Sequence, residues 1–170
     1  MNAPIIDTPD FTLRPFQASD ASAVASGIVE WDVIRMLTTP PYPFELHDAE
    51  TYIAQNADTP WMWVIDIEGT AAGSVGIVRH LGYWLSKLHW GRGVMTRAAG
   101  LAVDAFFQRD DRDHIDSGYL FDNPASERVL TKIGFKKTGR SMPRANSRGG
   151  EVLHIDMVLS RADWGRRRAE

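Results

Sequence analysis

The sequence predicts an α+β fold in which a mixed, mostly antiparallel sheet is flanked by helices on both faces. Two observations indicate this fold: residues 61–78 read as a β-hairpin, and apolar residues recur at helical spacing from Val94 onward. Further strand patterns with short connections follow in residues 114–160. The 170 residues suit a single domain spanning 1–170, which would bury roughly two thirds of the surface of its unfolded chain.

The N-terminal third of the chain predicts one strand and two helices. Residues 11–16 (FTLRPF) alternate apolar and polar side chains and end at a proline, as a strand does. The Ser-Asp pair at 19–20 is typical of a helix N-cap, and this helix is expected to run towards Met36. Three prolines in residues 38–44 require a loop, after which residues 47–57 read as helical again.

The middle of the chain predicts a three-stranded meander followed by a long helix. Residues 61–67 are aromatic and β-branched, residues 68–70 form a turn, and residues 71–78 return as a second strand. A short connection leads to a third strand at 82–86. The helix that follows carries a stripe of apolar residues at Val94, Ala98, Leu101, Ala102, Ala105 and Phe106.

The C-terminal part predicts three strands around one helix. Residues 114–121 read as a strand, and the helix at 123–134 opens with Asn-Pro and closes at a glycine. Residues 135–140 and 151–160 then form a predicted antiparallel pair. The polar, glycine-rich residues 142–150 connect this pair as a loop.

The composition excludes several classes of protein. The chain has 44% hydrophobic and 24% charged residues, as an ordinary soluble globular protein does, and its apolar runs are too short to span a membrane. A net charge of -3 lacks the basic surplus of a nucleic-acid-binding domain. The N-terminus lacks the pattern of a secretory signal, so a cytoplasmic location is expected. The basic run Arg166–Arg168 is interpreted as a frayed tail, with a weak contact to an acidic partner as the alternative.

The residues available for metal binding and covalent catalysis are few. The absence of cysteine excludes disulfides, thiolate metal sites and a cysteine nucleophile. Five histidines occur without paired metal-ligand spacing. No metal site is therefore expected.

A glycine-rich turn lies between the third predicted strand and the long helix. Gly91 and Gly93 flank Arg92 and precede the helix start at Val94. Such a turn presents backbone N–H groups at the positive end of a helix dipole, where a phosphate or pyrophosphate binds. The alternative is that the glycines only make the turn. A dinucleotide-binding motif is disfavoured because its third glycine is replaced by Thr96.

Two signatures in this chain resemble a known family. Residues 82–85 (GYWL), followed by 90–96 (WGRGVMT) and a helix, resemble the central motif of the GNAT acetyltransferases. Residues 123–126 (NPAS), continuing to 132–135 (KIGF), resemble the second signature of their RimJ/RimL-like branch. That branch acetylates protein N-terminal amines and various small amines. The order and separation of the signatures agree, and the resemblance extends over nearly the whole chain.

The resemblance implies an acetyl-CoA-binding fold. It implies that the backbone N–H groups of residues 91–96 cradle the pyrophosphate and that the pantetheine arm lies beside residues 83–85. The coenzyme-binding residues that it implies are Tyr83, Trp84, Leu85, Trp90, Gly91, Arg92, Gly93, Val94, Met95, Thr96, Asn123 and Ser126. Trp84 and Trp90 are interpreted first as packing residues and second as walls of the pantetheine groove.

Two residues depart from the family pattern. Met95 stands where the broad superfamily has Gly or Ala, although the branch tolerates methionine. Arg97 stands where the branch usually has Glu, and its charge opposes the helix dipole by about 0.3 to 1 kcal/mol. Arg97 is expected either to face the coenzyme or to be a plain surface residue.

Acetyl transfer to an amine requires a base for the ammonium proton. The branch often has Glu two residues before the glycine of the GYW strand, and this chain has His80 there. His80 is therefore the first candidate for the general base, with a solvated turn histidine as the alternative. Glu68, Asp66 and Asp32 are weaker candidates.

The departing thiolate also needs a proton. Many GNAT enzymes use a tyrosine of the second signature helix, and this chain has Leu130 at that position. The resemblance points instead to Ser126 as a donor near the sulfur, with Asn123 binding the pantetheine or orienting the site. An ordinary helix-start serine and asparagine are the alternatives. A thiolate with a pKa near 8.5 can also leave unprotonated.

The sequence leads to one main functional hypothesis and one alternative. The main hypothesis is an acetyl-CoA-dependent N-acetyltransferase that transfers acetyl directly to a primary amine, from a protein N-terminus or a small molecule. The alternative is a non-catalytic acyl-CoA-binding or sensing module on the same fold. Residues 31–44 and 141–150 are expected to border the acceptor groove. The expected assembly is a monomer or a homodimer.

Overall fold

The computed structural model describes residues 2–169. The strands are β1 (Ile6–Asp7), β2 (Thr12–Arg14), β3 (Met62–Ile67), β4 (Thr70–Ile77), β5 (Leu81–Leu85), β6 (His114–Leu120), β7 (Lys136–Ser141), β8 (Arg144–Ala145), β9 (Gly150–Glu151) and β10 (His154–Ser160). The helices are α1 (Ala21–Ile28), α2 (Trp31–Ile34), α3 (Leu46–Asn56), α4 (Val94–Arg109), α5 (Pro124–Ile133) and α6 (Arg161–Ala169). In this described part of the chain, no helix is both long and apolar enough to cross a membrane.

The strands form two larger sheets and a small hairpin. The first sheet has the order β1-β2-β3-β4-β5, and the second has the order β6-β10-β7. All of the pairings within them are antiparallel, and β8 pairs with β9 in the loop between β7 and β10. Helices α1 and α3 cover one face of the first sheet and α4 covers the other. The predicted α+β class, with a mostly antiparallel sheet flanked by helices, is confirmed.

The core explains why these segments form strands. In β3, Trp63 and Ile65 point towards α4, whereas Val64 points towards α1 and α3. All three side chains are fully buried, so this strand is apolar on both faces. On the α4 side, alanines such as Ala98 and Ala102 allow the helix to approach the sheet closely.

The two sheets meet at β5 and β6 without sharing a backbone ladder in the described chain. The hydroxyl of Ser117, which is buried, donates to the carbonyl of Leu81 at 2.9 Å and joins the strands at that point. A cleft of about 1640 Å³ is lined by residues of both strands. The sheet geometry therefore leaves a groove between its two halves.

Three local predictions were wrong. The first helix does not run to Met36: it ends at Ile28, and Glu30 is extended (φ -54°, ψ 120°) before α2 begins. Residues 142–150 are not only a loop, because they contain the β8–β9 hairpin. Nor do the arginines 166–168 fray: they lie in α6, where the Arg168 guanidinium pairs with Asp104 on α4 at 2.9 Å.

A buried ion pair fixes the start of α1 against the first sheet. The Arg14 guanidinium on β2 donates to the two oxygens of Asp20 at 2.8 and 2.9 Å and to Asp66 on β3 at 2.7 Å. The Asp20 carboxylate also accepts from the backbone N–H of Gln17 at 2.8 Å. A buried charge whose partner is removed is strongly destabilising.

We expect Asp20→Ala to lower the free energy of unfolding by about 3 kcal/mol, because it leaves part of the Arg14 charge unpaired. Asp48→Ala is the matched control. The Asp48 carboxylate accepts from the backbone N–H of Glu45 at 2.8 Å and caps α3, as the Asp20 carboxylate accepts from the backbone N–H of Gln17 at the start of its own helical turn. The control loses only a cap, about 1 kcal/mol. Urea unfolding followed by circular dichroism measures both values, and equal losses would contradict the role of the ion pair.

Candidate functional site

The glycine-rich turn leads directly into α4. Gly91 and Gly93 adopt left-handed backbone conformations, with φ of 75° and 73°. Within residues 2–169, no side chain caps the first turn of α4. The N–H groups at this helix start therefore remain available to an anion. Arg92 between the glycines is exposed.

The side chains that follow the turn point into the core. Val94 and Met95 are buried against the first sheet, so only their backbone N–H groups face the turn. Arg97 does not face the turn: its guanidinium pairs with Asp10 and lies 5.4 Å from the centre of the Phe11 ring. The helix start therefore offers backbone donors rather than specific side chains.

The side chains of β5 alternate between the two faces of the first sheet, one covered by α4 and the other by α1 and α3. Trp84 is buried on the α1 and α3 side, where a Cβ added to Gly27 would lie 2.8 Å from its ring. Tyr83 and Leu85 face α4 and α5. The indole N–H of Trp90 donates to the carbonyl of Leu85 at 2.8 Å. The expected packing role agrees with these contacts for Trp84, whereas Trp90 is 43% exposed and belongs to no core cluster of the described chain; the contact of either with a coenzyme stays a prediction.

The second signature comes together with β5 in the cleft. The Ser126 hydroxyl is hydrogen-bonded to the Tyr83 hydroxyl at 2.7 Å. Asn123 caps α5, because its side-chain oxygen accepts from the backbone N–H of Ser126 at 3.1 Å. Burial raises the pKa of Tyr83 well above its usual range, although the Ser126 contact opposes this, so the phenol keeps its proton. Leu130, at the position where many relatives have tyrosine, is fully buried in the core.

His80 lies at the opposite end of β5 from the glycine-rich turn, in the connection between β4 and β5. Its ring lies beside Gly82, where an added Cβ would be 3.8 Å from Nε2. Desolvation lowers the pKa of His80, the positive charges of His154 and Arg79 lower it further, and Asp116 opposes them. The imidazole is therefore neutral at pH 7 and can accept a proton.

The other three candidates for the base are less suitably placed. Asp66 is bound by Arg14, and Glu68 lies in the turn between β3 and β4; neither lines the cleft. Asp32 lines the cleft but pairs with Lys87 at 2.5 Å, and this hydrogen bond lowers the pKa of its carboxyl. Of the carboxylates considered, only Asp32 borders the cleft, and a cation already holds it.

Sequence reasoning missed a polar cluster on β10. His154 Nδ1 lies 2.8 Å from an oxygen of Asp156, which also accepts from the Ser141 hydroxyl at 2.7 Å. All three residues line the same cleft as His80. The sequence did carry a signal for this cluster: His154 and Asp156 are two residues apart in a strand, which places both side chains on one face of the sheet.

An ion-pair network joins the two segments that border the cleft. Arg148, in the β8–β9 connection, donates to both oxygens of Asp122 at 3.0 Å and through Nε to the carbonyl of Arg35 at 2.7 Å. The Arg35 guanidinium also reaches Asp122, at 3.1 Å. Hydrogen bonding from Arg148 lowers the pKa of the Asp122 carboxyl. Sequence reasoning had no signal for this contact, because its members lie far apart along the chain.

Comparison with known proteins identifies the family. A family model described as an acetyltransferase (GNAT) domain matches residues 10–136. The chain belongs to the GNAT acetyltransferase family. The expected enzyme class, an N-acetyltransferase that uses acetyl-CoA, is confirmed at the level of the family.

The relatives span a range of similarity. Probable N-acetyltransferase YjcK of Bacillus subtilis (strain 168) is 44% identical over 80 residues, which are 47% of this chain and 43% of that protein. The ribosomal-protein-S5-alanine acetyltransferase of Vibrio fischeri is 22% identical with a TM-score of 0.78, covering 95% of this chain and 98% of that one. RimL, a ribosomal L7/L12 α-N-protein acetyltransferase solved with coenzyme A, is 19% identical with a TM-score of 0.78, covering 92% and 98%. The likeness to these two structures is one of fold.

The fit of acetyl-CoA can be tested on the glycine-rich turn. A Cβ built on Gly91 or Gly93 would meet no atom of the described chain within 4 Å, so the space above both residues is open. Together with the uncapped start of α4, this open space suits a phosphate group. The residues of the turn therefore fit the coenzyme.

We expect Gly93→Val to weaken acetyl-CoA binding about a hundredfold, because the side chain would displace the phosphate from two charge-assisted hydrogen bonds. Gly69→Val is the matched control: Gly69 has a φ of 79° and equally open surroundings, but it lies in the turn between β3 and β4. Both variants carry the same backbone strain. Calorimetric titration of the two folded proteins measures the difference, and equal affinities would remove the turn from coenzyme binding.

Proposed function

We propose that this GNAT protein transfers acetyl from acetyl-CoA directly to a primary amine, either a protein N-terminal α-amine or a small-molecule amine. The observation that carries the proposal is that one cleft holds the phosphate-binding turn and, at the other end of β5, the neutral imidazole of His80. The fold of the ribosomal-protein acetyltransferases supports a place in the RimJ/RimL-like branch. A non-catalytic acyl-CoA sensor would not require a neutral base at this place.

His80 acts on the acceptor. Acetyl-CoA supplies the acetyl group and a thiolate leaving group, and the attacking amine must be neutral. His80 removes a proton from the amine directly or through one water. An α-amine with a pKa of about 8 is roughly 10% neutral at pH 7, whereas a lysine amine needs about 3 kcal/mol more for deprotonation. A single neutral imidazole therefore suits an amine of low pKa.

Ser126 acts on the leaving group. Its hydroxyl is hydrogen-bonded to the Tyr83 phenol at 2.7 Å, and this phenol keeps its proton and holds the serine oxygen in place. Asn123 fixes the position of Ser126 by capping α5. This pair takes the place of the tyrosine that Leu130 replaces. Backbone N–H groups of β5 between residues 83 and 85 polarise the acyl oxygen.

The acceptor enters between two segments of irregular structure. Residues 31–44 and 141–150 both line the cleft and are joined by hydrogen bonds. The Ser147 hydroxyl donates to the carbonyl of Ile34 at 3.1 Å, and the backbone N–H of Asn146 donates to the carbonyl of Thr38 at 3.0 Å. These segments select the acceptor, since they form the walls on its side of the cleft.

Calorimetric titration with acetyl-CoA, coenzyme A, ATP and NAD tests whether the protein binds acetyl-CoA. Release of coenzyme A in the presence of amines tests whether it transfers the acetyl group. The amines are peptides that begin with Ala, Ser or Met, together with spermidine and phenethylamine. We expect micromolar binding of acetyl-CoA and turnover with at least one amine. The same peptides with a blocked α-amine are the control. Binding without turnover on any amine would favour the sensing module.

We expect His80→Ala to lower kcat/KM at pH 7 by about tenfold or more and to leave acetyl-CoA affinity unchanged, because the residue acts on the amine. In the wild type, kcat/KM calculated on the concentration of neutral amine should fall only as the pH drops below about 6.5, because the pKa of His80 is lowered from its ordinary value and the base form persists above it. His47→Ala, an exposed histidine on α3, is the control. Equal activity of both variants would exclude His80.

A further inference from the structure

A second imidazole in the cleft is held by a carboxylate. His154 and Asp156 are two residues apart on β10 and therefore share a face of the second sheet. The Asp156 oxygen that lies 2.8 Å from His154 Nδ1 also accepts from Ser141, which faces His154 across the β7–β10 ladder. Desolvation opposes ionisation, but the hydrogen bonds from Ser141 and His154 outweigh it and lower the pKa of Asp156. The carboxylate is thus ionised at neutral pH.

This contact fixes the tautomer of His154. An ionised carboxylate only accepts hydrogen bonds, so Nδ1 must carry the proton that it donates to Asp156. In the neutral ring the lone pair is then on Nε2. The arrangement leaves one defined nitrogen that can accept a proton.

The free edge of the His154 ring lies over β6. A Cβ added to Gly118 would be 2.1 Å from Cε1 and 2.7 Å from Nε2 of His154, so only glycine fits beneath the ring. His80 lies over Gly82 on β5 in the same way, although less closely. The two imidazoles therefore stand over glycines of the two strands between which the cleft opens.

Charged groups on the neighbouring segments lie around the two rings. On β6, Asp116 faces them from two residues before Gly118; in the β4–β5 connection, Arg79 stands beside His80. A positive charge on His154 disfavours protonation of His80. On His154's own strand, the charged neighbour is Asp156. A proton on His154 therefore opposes uptake of a proton by His80, so the first proton must leave before His80 takes another.

We propose that His154, held by Asp156, is a second proton acceptor for the amine in this cleft. The inference rests on the proposed acetyl transfer and adds a residue to it. His154 is a catalytic residue in this scheme, and Asp156 is a positioning residue. The acceptor is a primary amine that enters as its ammonium ion between the two rings.

Each imidazole accepts one of the two protons that the ammonium nitrogen loses. His154 Nε2 takes one proton from the ammonium group, and the nitrogen lone pair so freed forms the C–N bond while the C–S bond breaks. The proton on His154 passes to solvent, and His80 then takes the second proton, which the nitrogen loses as it becomes an amide. The departing thiolate takes one proton from Ser126, which regains a proton from solvent, and His80 releases its own proton to solvent. In sum, RNH3⁺ and acetyl-CoA give RNHCOCH3, coenzyme A and H⁺.

Kinetics of three variants test the proposal with the acceptor of highest turnover from the amine panel. We expect His154→Gln and His80→Ala each to lower kcat about tenfold, because one ring partly replaces the other. The double variant should lose about a thousandfold, more than the product of the single losses. The affinity for acetyl-CoA should stay unchanged. His114→Gln is the matched control, because His114 also lies by a carboxylate, Asp116 (3.6 Å), but lines no part of the cleft.

A measurement on the free protein needs neither acceptor nor coenzyme. Long-range 1H–15N correlation spectra of the wild type at pH 8 should show His154 protonated at Nδ1 only. Asp156→Asn should give a mixture of tautomers and lower kcat without changing the acetyl-CoA affinity. A purely structural role of Asp156 would leave the tautomer unchanged.

The outcomes separate this inference from the function on which it rests. Wild-type protein that acetylates no amine overturns the proposed function and this inference with it. Full kcat in His154→Gln alone, with no further loss when His154→Gln is added to His80→Ala, overturns only the role of His154. A wild-type His154 protonated at Nε2 overturns it as well, even if the variants do not fold.

Discussion

The hydrogen bond from Ser117 to the carbonyl of Leu81 marks the place where the two sheets of this protein part. This side-chain bond joins β5 to β6, which otherwise belong to separate ladders in the described chain: β5 pairs with β4, and β6 pairs with β10. Because a strand edge inside a protein exposes unpaired N–H and C=O groups, such a separation requires a polar occupant. The cleft, with the proposed catalytic residues that line it, follows from this parting of the strands.

Helix α4 packs closely against the core, while the glycine-rich turn before it stays open. Its alanines and the side chains of Val94 and Met95 are buried against the first sheet, while the backbone at its start faces outward. The methionine that departs from the broad family pattern is thereby explained: its side chain packs inside and leaves the N–H group free. The charge of Arg97 is likewise compensated, because it pairs with Asp10 rather than adding to the positive helix start.

The proposed acceptor side of the cleft is built differently, from irregular segments that long-range polar contacts hold. Arg148 and Asp122 connect the β8–β9 hairpin to the end of α2, and neither segment has a regular backbone ladder to the other. Segments held in this way can change in sequence without disturbing the sheets. Under the proposed function, one scaffold can therefore present the same glycine-rich turn to different acceptors.

The sequence by itself determined those parts of the fold whose signal is local. The hairpin of β3 and β4, the long α4 and the α5 helix with its left-handed Gly134 all follow from periodicity and capping within a few residues. The glycine-rich turn and the contact between Asn123 and Ser126 were predictable for the same reason. Only the tertiary structure decided the break after α1, the docking of α6 and the meeting of His154 with Gly118, because each depends on the register of elements that are distant in sequence.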